Sequence, residues 1–438
     1  MIVSLTTKLT AQIRAKTISE TDRRAAALFA LDAIGSAFAG RNTVAGRTLL
    51  QWSSAQGNDA GRAAFAVAGL THIVETDDLH RASVTHPGCV VLPTVIAMSN
   101  RCEYSARNII DAVLHGFEAM CRVGMAVGKQ HYKIWHNTAT CGPYGAAMAA
   151  AALLRLDDEQ CVNALGNAGT QSSGLWEFLD SGAMSKHLHA ARAAESGLVA
   201  AQLASLGFTG PPKILEGTKG FFAGACPDAE PDQITAEFAG PWQLRQTSIK
   251  PWPSCRHTHA VIDAALALHG QCDPRSIRDI QINTYPAALD LCDRPQPDSE
   301  YAAKFSLQHC VATAIAEGSV TLNSFDTAAR NKTDSLRRTV TLNSEGAYAA
   351  AYPLHWGASI TVTLTDRSTL QESRSDSRGD PDSPISESDM TTKIDQLLEF
   401  GGLSAGRSKQ IIADVLALAN DDADTTVLNT ILPELLAT

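Results

Sequence analysis

The stretch SIKPWPSCRHTH, residues 248–259, divides this chain of 438 residues into two kinds of sequence. Pro251 and Pro253 fix their own φ and disfavour helix at the residues before them, so positions 250–253 are expected to be extended and stiff. Upstream of this turn, apolar residues recur at helical spacing. In TDRRAAALFALDAIGSAFAG, residues 21–40, Leu28, Leu31, Ile34 and Phe38 fall between a candidate N-cap at Thr21 and a glycine stop. The same period runs through ARNIIDAVLHGFEAMCRVGMAVG, GPYGAAMAAAALLRL, DEQCVNALGNAG and HAARAAESGLVAAQLASLGF. Roughly the first 245 residues therefore read as helical, with alanine and glycine faces that let helices approach closely.

Downstream the period shifts to two. Residues 280–284, 339–343 and 359–364 read as half-buried strands, with AAKFSLQHCVATAIAEG as a helix between them. QESRSDSRGDPDSPISESDM, residues 371–390, reads as a solvated loop, and helical pattern resumes from about Ser404. The expected fold is mainly α. A large all-helical domain covers residues 1–265 and 400–438, and a smaller α+β lid domain, 266–399, is inserted before the C-terminal helices.

Composition narrows the function. With 45% hydrophobic and 19% charged residues the chain is globular rather than disordered. A net charge of -10 without a basic stripe argues against nucleic acid or an anionic membrane as partner, so an anionic substrate must be met by a few local cations. The start, MIVSLTTKLTAQIRAKT, is too briefly apolar for a secretory signal, and the apolar run 146–154 is far short of a membrane span, which places the protein in the cytoplasm. Ten cysteines occur without a CxxC pair, so neither a zinc site nor a disulfide framework is signalled. There is no Walker loop and no G-x-G-x-x-G after a strand, and nucleotide binding has no support.

Four polar clusters stand out against this apolar background: ETDDLHRASVTHPG (75–88), YKIWHNTATCGPYG (132–145), SKHLHAARAAESG (185–197) and the turn with Lys250, Cys255, His257 and His259. Each has a plainer reading. Asp77 and Asp78 could cap a helix, and His136 beside Trp135 could be a core histidine. Lys186 and His187 could open an exposed helix, HLH is a poor metal signal because residues two apart on a helix do not face each other, and Cys255 could be a buried thiol.

The clusters acquire meaning together. LDAIGSAFAG, ETDD followed by HPG, WHNTATCGPYGAA, MSKHLHAARAAESG, EGTKGFF, IKPWPSCRHTHAVIDA and AAKFSLQHCVATAI, in this order, resemble the MmgE/PrpD family along essentially the whole chain. The resemblance implies a helical domain with an α+β lid, a homodimer, and a site in the cleft between domains that uses no metal or organic cofactor. It implies small di- or polycarboxylate substrates, with activities such as 2-methylcitrate dehydratase, cis-aconitate decarboxylase and iminodisuccinate epimerase. By position, His86, His136, Lys186 and Lys250 match the family's catalytic candidates, and Asp77, Asp78, His80, Tyr144, Cys255, His257, His259 and His309 are candidates for substrate binding. In one respect the chain departs: His309 stands where the decarboxylase and the dehydratases carry a tyrosine. On that departure and the overall resemblance, the expectation is an epimerase of iminodisuccinate-type dicarboxylates that removes and returns a proton beside a carboxylate. A hydro-lyase or decarboxylase acting on a small polycarboxylate is the alternative, and a non-catalytic ligand-binding protein a remoter one.

Overall fold

A computed structural model describes residues 3–55, 59–100 and 104–437. It is mainly helical and divides into two compact units. The first comprises Met1–Ile73, Asp77–Thr247 and Glu387–Thr438; the second comprises Val74–Thr76 and Ser248–Ser386.

In the first unit, the helix Asn137–Leu153 packs against the helices Ser185–Ser205, Ala106–Ala126, Gly88–Ser99 and Asp158–Gly169. All of its residues except Ala152 are buried, so no polar face is needed and amphipathic patterning is weak. Small residues set the spacing. A Cβ on Gly197 would stand 2.3 Å from the carbonyl oxygen of Pro143 and 2.5 Å from Ala146 Cβ, so the helices Asn137–Leu153 and Ser185–Ser205 meet backbone to backbone. Gly197→Ala is expected to force them apart and to cost about 1–3 kcal/mol. Thermal unfolding checks this, and an unchanged midpoint would contradict the contact.

The helix Glu20–Arg41 begins at Ser19 rather than at the expected cap Thr21. Ser19 Oγ accepts the Asp22 N–H and the Asp22 carboxylate accepts the Ser19 N–H, a reciprocal capping box. The C-terminal helices Glu387–Phe400 and Ala405–Ala417 pack on this helix, with a buried ion pair between Lys393 and Asp32.

The second unit is built on a four-stranded sheet in the order Val340–Ser344, Ile277–Thr284, Ala358–Leu364, Thr369–Arg374. The first pair is parallel and the other two antiparallel. Ile280, Ile282, Ile360 and Val362 are fully buried and belong to one core with the helices His259–Leu268 and Leu307–Glu317.

Two expectations are corrected here. The residues expected as a solvated loop from 371 begin inside the strand Thr369–Arg374, whose positions alternate exposed and half-buried as an edge strand should. Helix resumes at Glu387, not near Ser404. Periodicity identifies His259–Leu268 and Glu387–Phe400 as helices but not their partners: the first packs on the sheet and the second on Glu20–Arg41.

The proline turn is a run of bends without helix up to Cys255. It is held by backbone and side-chain bonds within its own unit. Ile249 N–H donates to Gly379 O at 2.9 Å, Cys255 N–H to Lys304 O at 2.9 Å, and Arg256 pairs with Asp380 at 2.6 Å. Gly379, at φ +91°, has no room for a Cβ, which would fall 2.0 Å from Ile249 O. Among the described residues no helix is long and apolar enough to cross a membrane.

Candidate active site

Within the first unit, the loop after the helix Ala60–Thr71 brings two aspartates and three histidines together. His72 is the C-cap of that helix, its N–H bonded to Ala68 O and Gly69 O. Its Nδ1 is hydrogen-bonded to Asp77 Oδ2 at 2.6 Å. The same oxygen lies 3.6 Å from His86 Nδ1, which also donates to the carbonyl oxygen of Asp78. The rings of His72 and His86 meet edge to face at 4.9 Å, and those of His72 and His136 stack at 5.7 Å.

The two aspartates have separate tasks. Asp78 receives the Gly88 N–H on both oxygens, at 2.9 and 3.0 Å, at the start of the helix Gly88–Ser99. Burial, and then the neighbouring Asp77, push its carboxyl well above the usual range. Asp78 thus ties down the His86 loop from below, while Asp77 faces the imidazoles.

His136 sits at the N-cap of Asn137–Leu153, its Nδ1 3.3 Å from His189 Nδ1 and its ring 4.6 Å from Trp176. Burial holds it well below the ordinary histidine value, and His72, Lys186, His189 and His86 oppose its protonation further. It is a neutral imidazole, able to take up a proton. Lys186, 6% exposed, lies in the first turn of Ser185–Ser205, where the helix dipole disfavours a cation. His189 follows it by three positions, on the same face. His86 is a partly accessible ring, its side chain 13% exposed against 0% for His72 and 1% for Asp77, and His189 is likewise only half-buried.

Donor atoms of His72, Asp77 and His86 lie within 4.8 Å of one another, the neighbourhood a metal would require. Their contacts are those of hydrogen bonding. Two ligands of one zinc-like ion, each about 2.0–2.2 Å from it, stand about 3 Å or more apart, whereas Nδ1 of His72 and Oδ2 of Asp77 are separated by 2.6 Å.

In the second unit, Lys250 Nζ lies 3.3 Å from Glu75 Oε2, with both side chains 2% exposed or less. Glu75 adopts a left-handed backbone, φ 62°, rare for a residue with a side chain. Cys255 belongs to this group. Its thiol is pulled below the ordinary value first by a hydrogen bond from Cys292, and also by Lys250, against the effect of burial. Lys304 is pushed down by burial despite Glu300 and Glu75.

Other expected site residues are engaged elsewhere. His80 has both ring nitrogens bonded, Nδ1 to Ser83 Oγ at 2.8 Å and Nε2 to Gln243 Oε1 at 2.9 Å. His259 receives Arg256 Nη1 at 2.8 Å and donates to Ser254 O. His257 lies flat on Trp356 at 4.4 Å, bonds Tyr285 Oη at 2.7 Å, and is pushed down to about 3 by burial, then by Lys250 and Arg256. His309 donates to Ser324 O at 2.8 Å and faces Thr333 Oγ1, a structural placement. Tyr144 is fully buried against Phe221. Sequence reasoning passed over His72, Glu75 and His189. Only His189 carried a usable signal, its i,i+3 spacing from Lys186.

A mainly helical chain with an α+β unit, and with imidazoles, carboxylates and lysines buried in ordered groups, has the makings of an acid–base site for anions. The MmgE/PrpD N-terminal domain matches residues 6–234 and the MmgE/PrpD C-terminal domain residues 252–418, and the chain belongs to the MmgE/PrpD family. It is similar to the cis-aconitate decarboxylase of Mus musculus, 27% identical over 395 residues, which are 83% of this chain and 80% of that protein. The cis-aconitate decarboxylase of Homo sapiens is 25% identical over 83% of this chain and 81% of its own length. That of Aspergillus terreus is 25% identical over 71% and 69%.

Proposed function

We propose that this protein is a lyase acting on a small polycarboxylate of the cis-aconitate type, by proton transfer at a carbon next to a carboxylate. The reading is carried by one observation: a neutral, buried His136 flanked by Lys186 and by the accessible His86. Similarity to cis-aconitate decarboxylases over most of the chain supports it, and shifts the weight away from the epimerase expected from the motifs. The tyrosine-to-histidine departure lends the epimerase no further support, because His309 is bonded within its own unit.

In this reading Lys186 pairs with a substrate carboxylate, a charge-assisted contact strengthened by exclusion of water. His86, with Nδ1 bonded to Asp78 O and its side chain 13% exposed, is the imidazole that meets the substrate. In decarboxylation the bond to the departing carboxylate breaks, carbon dioxide leaves, and the electron pair passes into the remaining unsaturated acid as an enolate-like anion. Fixed cations stabilise that charge, and the Lys186 ammonium returns a proton to carbon, its proton being restored from water through the neutral His136. Loss of water would use the same parts, a base taking the proton beside the carboxylate and an acid protonating the leaving hydroxide. Lys250, with Glu75 as counter-ion, is a candidate functional cation of the second unit, assigned by its match to the family motif.

Proton NMR of the full chain with cis-aconitate, 2-methylcitrate or iminodisuccinate, with and without EDTA, tests the proposal. The expected result is replacement of a tricarboxylate's signals by those of an unsaturated product, unchanged by EDTA. Conversion of iminodisuccinate alone would restore the epimerase, and inertness toward all three would remove the reading.

A further inference from the structure

His72 belongs to none of the roles assigned so far, yet it occupies the middle of the first unit's polar group. Its backbone is fixed as a helix C-cap, its ring is fully buried, and it touches three groups at once. Nδ1 bonds Asp77 at 2.6 Å, the ring edge meets His86 at 4.9 Å, and the ring face stacks on His136 at 5.7 Å with 15° between planes. Its Nε2 is buried with no hydrogen-bond partner among the described residues. A buried nitrogen left in that state costs free energy that a phenyl ring of similar size would not, so packing alone is a poor reason for a histidine here.

We infer that His72 is a positioning residue of the site: by holding Asp77 through Nδ1 and wedging its ring between His86 and His136, it presents both imidazoles to the substrate in one geometry. The inference rests on the reading of the site as acid–base machinery. Asp77 Oδ2 lies 2.6 Å from His72 Nδ1 and 3.6 Å from His86 Nδ1, so the carboxylate that His72 holds also borders the His86 ring. The charged and titratable groups around His136 are Lys186 and His189 on the helix Ser185–Ser205, His86 on the loop, and His72 itself, all of which oppose its protonation. Removal of His72 therefore moves the acid limb of kcat/KM, which reports protonation of the base, to higher pH.

Three variants and one spectrum test this. His72→Phe keeps the ring and loses the bond to Asp77. His72→Asn places an amide N–H near Nδ1, whereas His72→Gln reaches toward Nε2. The expected result is a fall in kcat on the order of 10²-fold for H72F, with KM changed far less, partial recovery in H72N and none in H72Q, and an upward shift of the acid limb in H72F. Circular dichroism and the thermal midpoint establish which variants are folded. If H72F fails to fold, the comparison of H72N with H72Q decides.

The activity-independent arm is a long-range proton–nitrogen NMR spectrum of the wild type. A slowly exchanging Nδ1–H signal, lost in the His72 variants, is expected, and its absence overturns the inference. Equal kcat and equal acid limbs in all folded variants overturn it as well. Wild-type protein that turns over none of the polycarboxylates removes the proposed function instead, and leaves the imidazole spectrum as the test of His72.

Discussion

Replacing His136 with glutamine lowers kcat/KM by about 10²–10⁴-fold, the usual contribution of a general acid–base group, while the protein keeps its fold. Glutamine is a polar side chain of similar reach but cannot take up a proton at any working pH. The environment explains why the loss is large. Burial first, then His72, Lys186, His189 and His86, hold the imidazole well below its ordinary value. A group so placed is in its basic form across neutral pH, and wild-type activity is lost only as pH falls through that lowered value. The acid limb of kcat/KM should therefore lie below the ordinary histidine range. A limb at or above about pH 6.5, the unperturbed value, together with an active His136→Gln variant, would reject His136 as the base.

The second large effect concerns the pair Lys250–Glu75. Lys250→Met removes one charge from a contact in which the residues are 1% and 2% exposed, and leaves the buried Glu75 carboxylate with less compensation, Lys304 remaining in its field. Breaking a buried pair by removing one partner costs up to about 3–5 kcal/mol, so both stability and activity should fall. The double variant Lys250→Met/Glu75→Gln removes the carboxylate charge as well and should regain part of the stability. Turnover should stay low, because the cation is still missing. Denaturant unfolding and steady-state rates, measured on the same samples, separate the two. Recovery of activity along with stability would reduce Lys250 to a structural role. Lys250→Arg is no safe control, since a planar fork does not replace a compact ammonium.

Much of this was legible from residue types alone. The change of period at 248–259 marked the passage from helices to a sheet, because inward-facing Ile280, Ile282, Ile360 and Val362 must alternate on strands packed on one face. The edge strand Thr369–Arg374 escaped notice because a strand without a buried face has no reason to alternate hydrophobic and polar residues. The partners of His259–Leu268 were hidden for a related reason: helical spacing records that a helix has a buried face, not which element covers it.

The candidate site was visible as charge and imidazole set in an alanine-rich chain. The division of labour within it was not. Asp77 and Asp78 are adjacent and chemically identical, and only the fold directs one to Gly88 N–H and the other to His72. His257 and His259 resemble His136 on paper, but aromatic stacking and Arg256 engage them. Glu75 lies in a left-handed backbone that nothing in ETDD announces. Gly197 and Gly379 show the reverse case, in which a missing side chain lets two backbones touch.

The most direct test of proton transfer through His136 on a polycarboxylate is solvent isotope tracking. The full-length wild type and its His136→Gln variant are each incubated with cis-aconitate in D2O and followed by NMR. Turnover by the wild type with one deuterium placed on the protonated carbon, and its near-complete loss in the variant, is the predicted result. Equal deuterium incorporation by both proteins, or product formation without any deuterium at carbon, would contradict it.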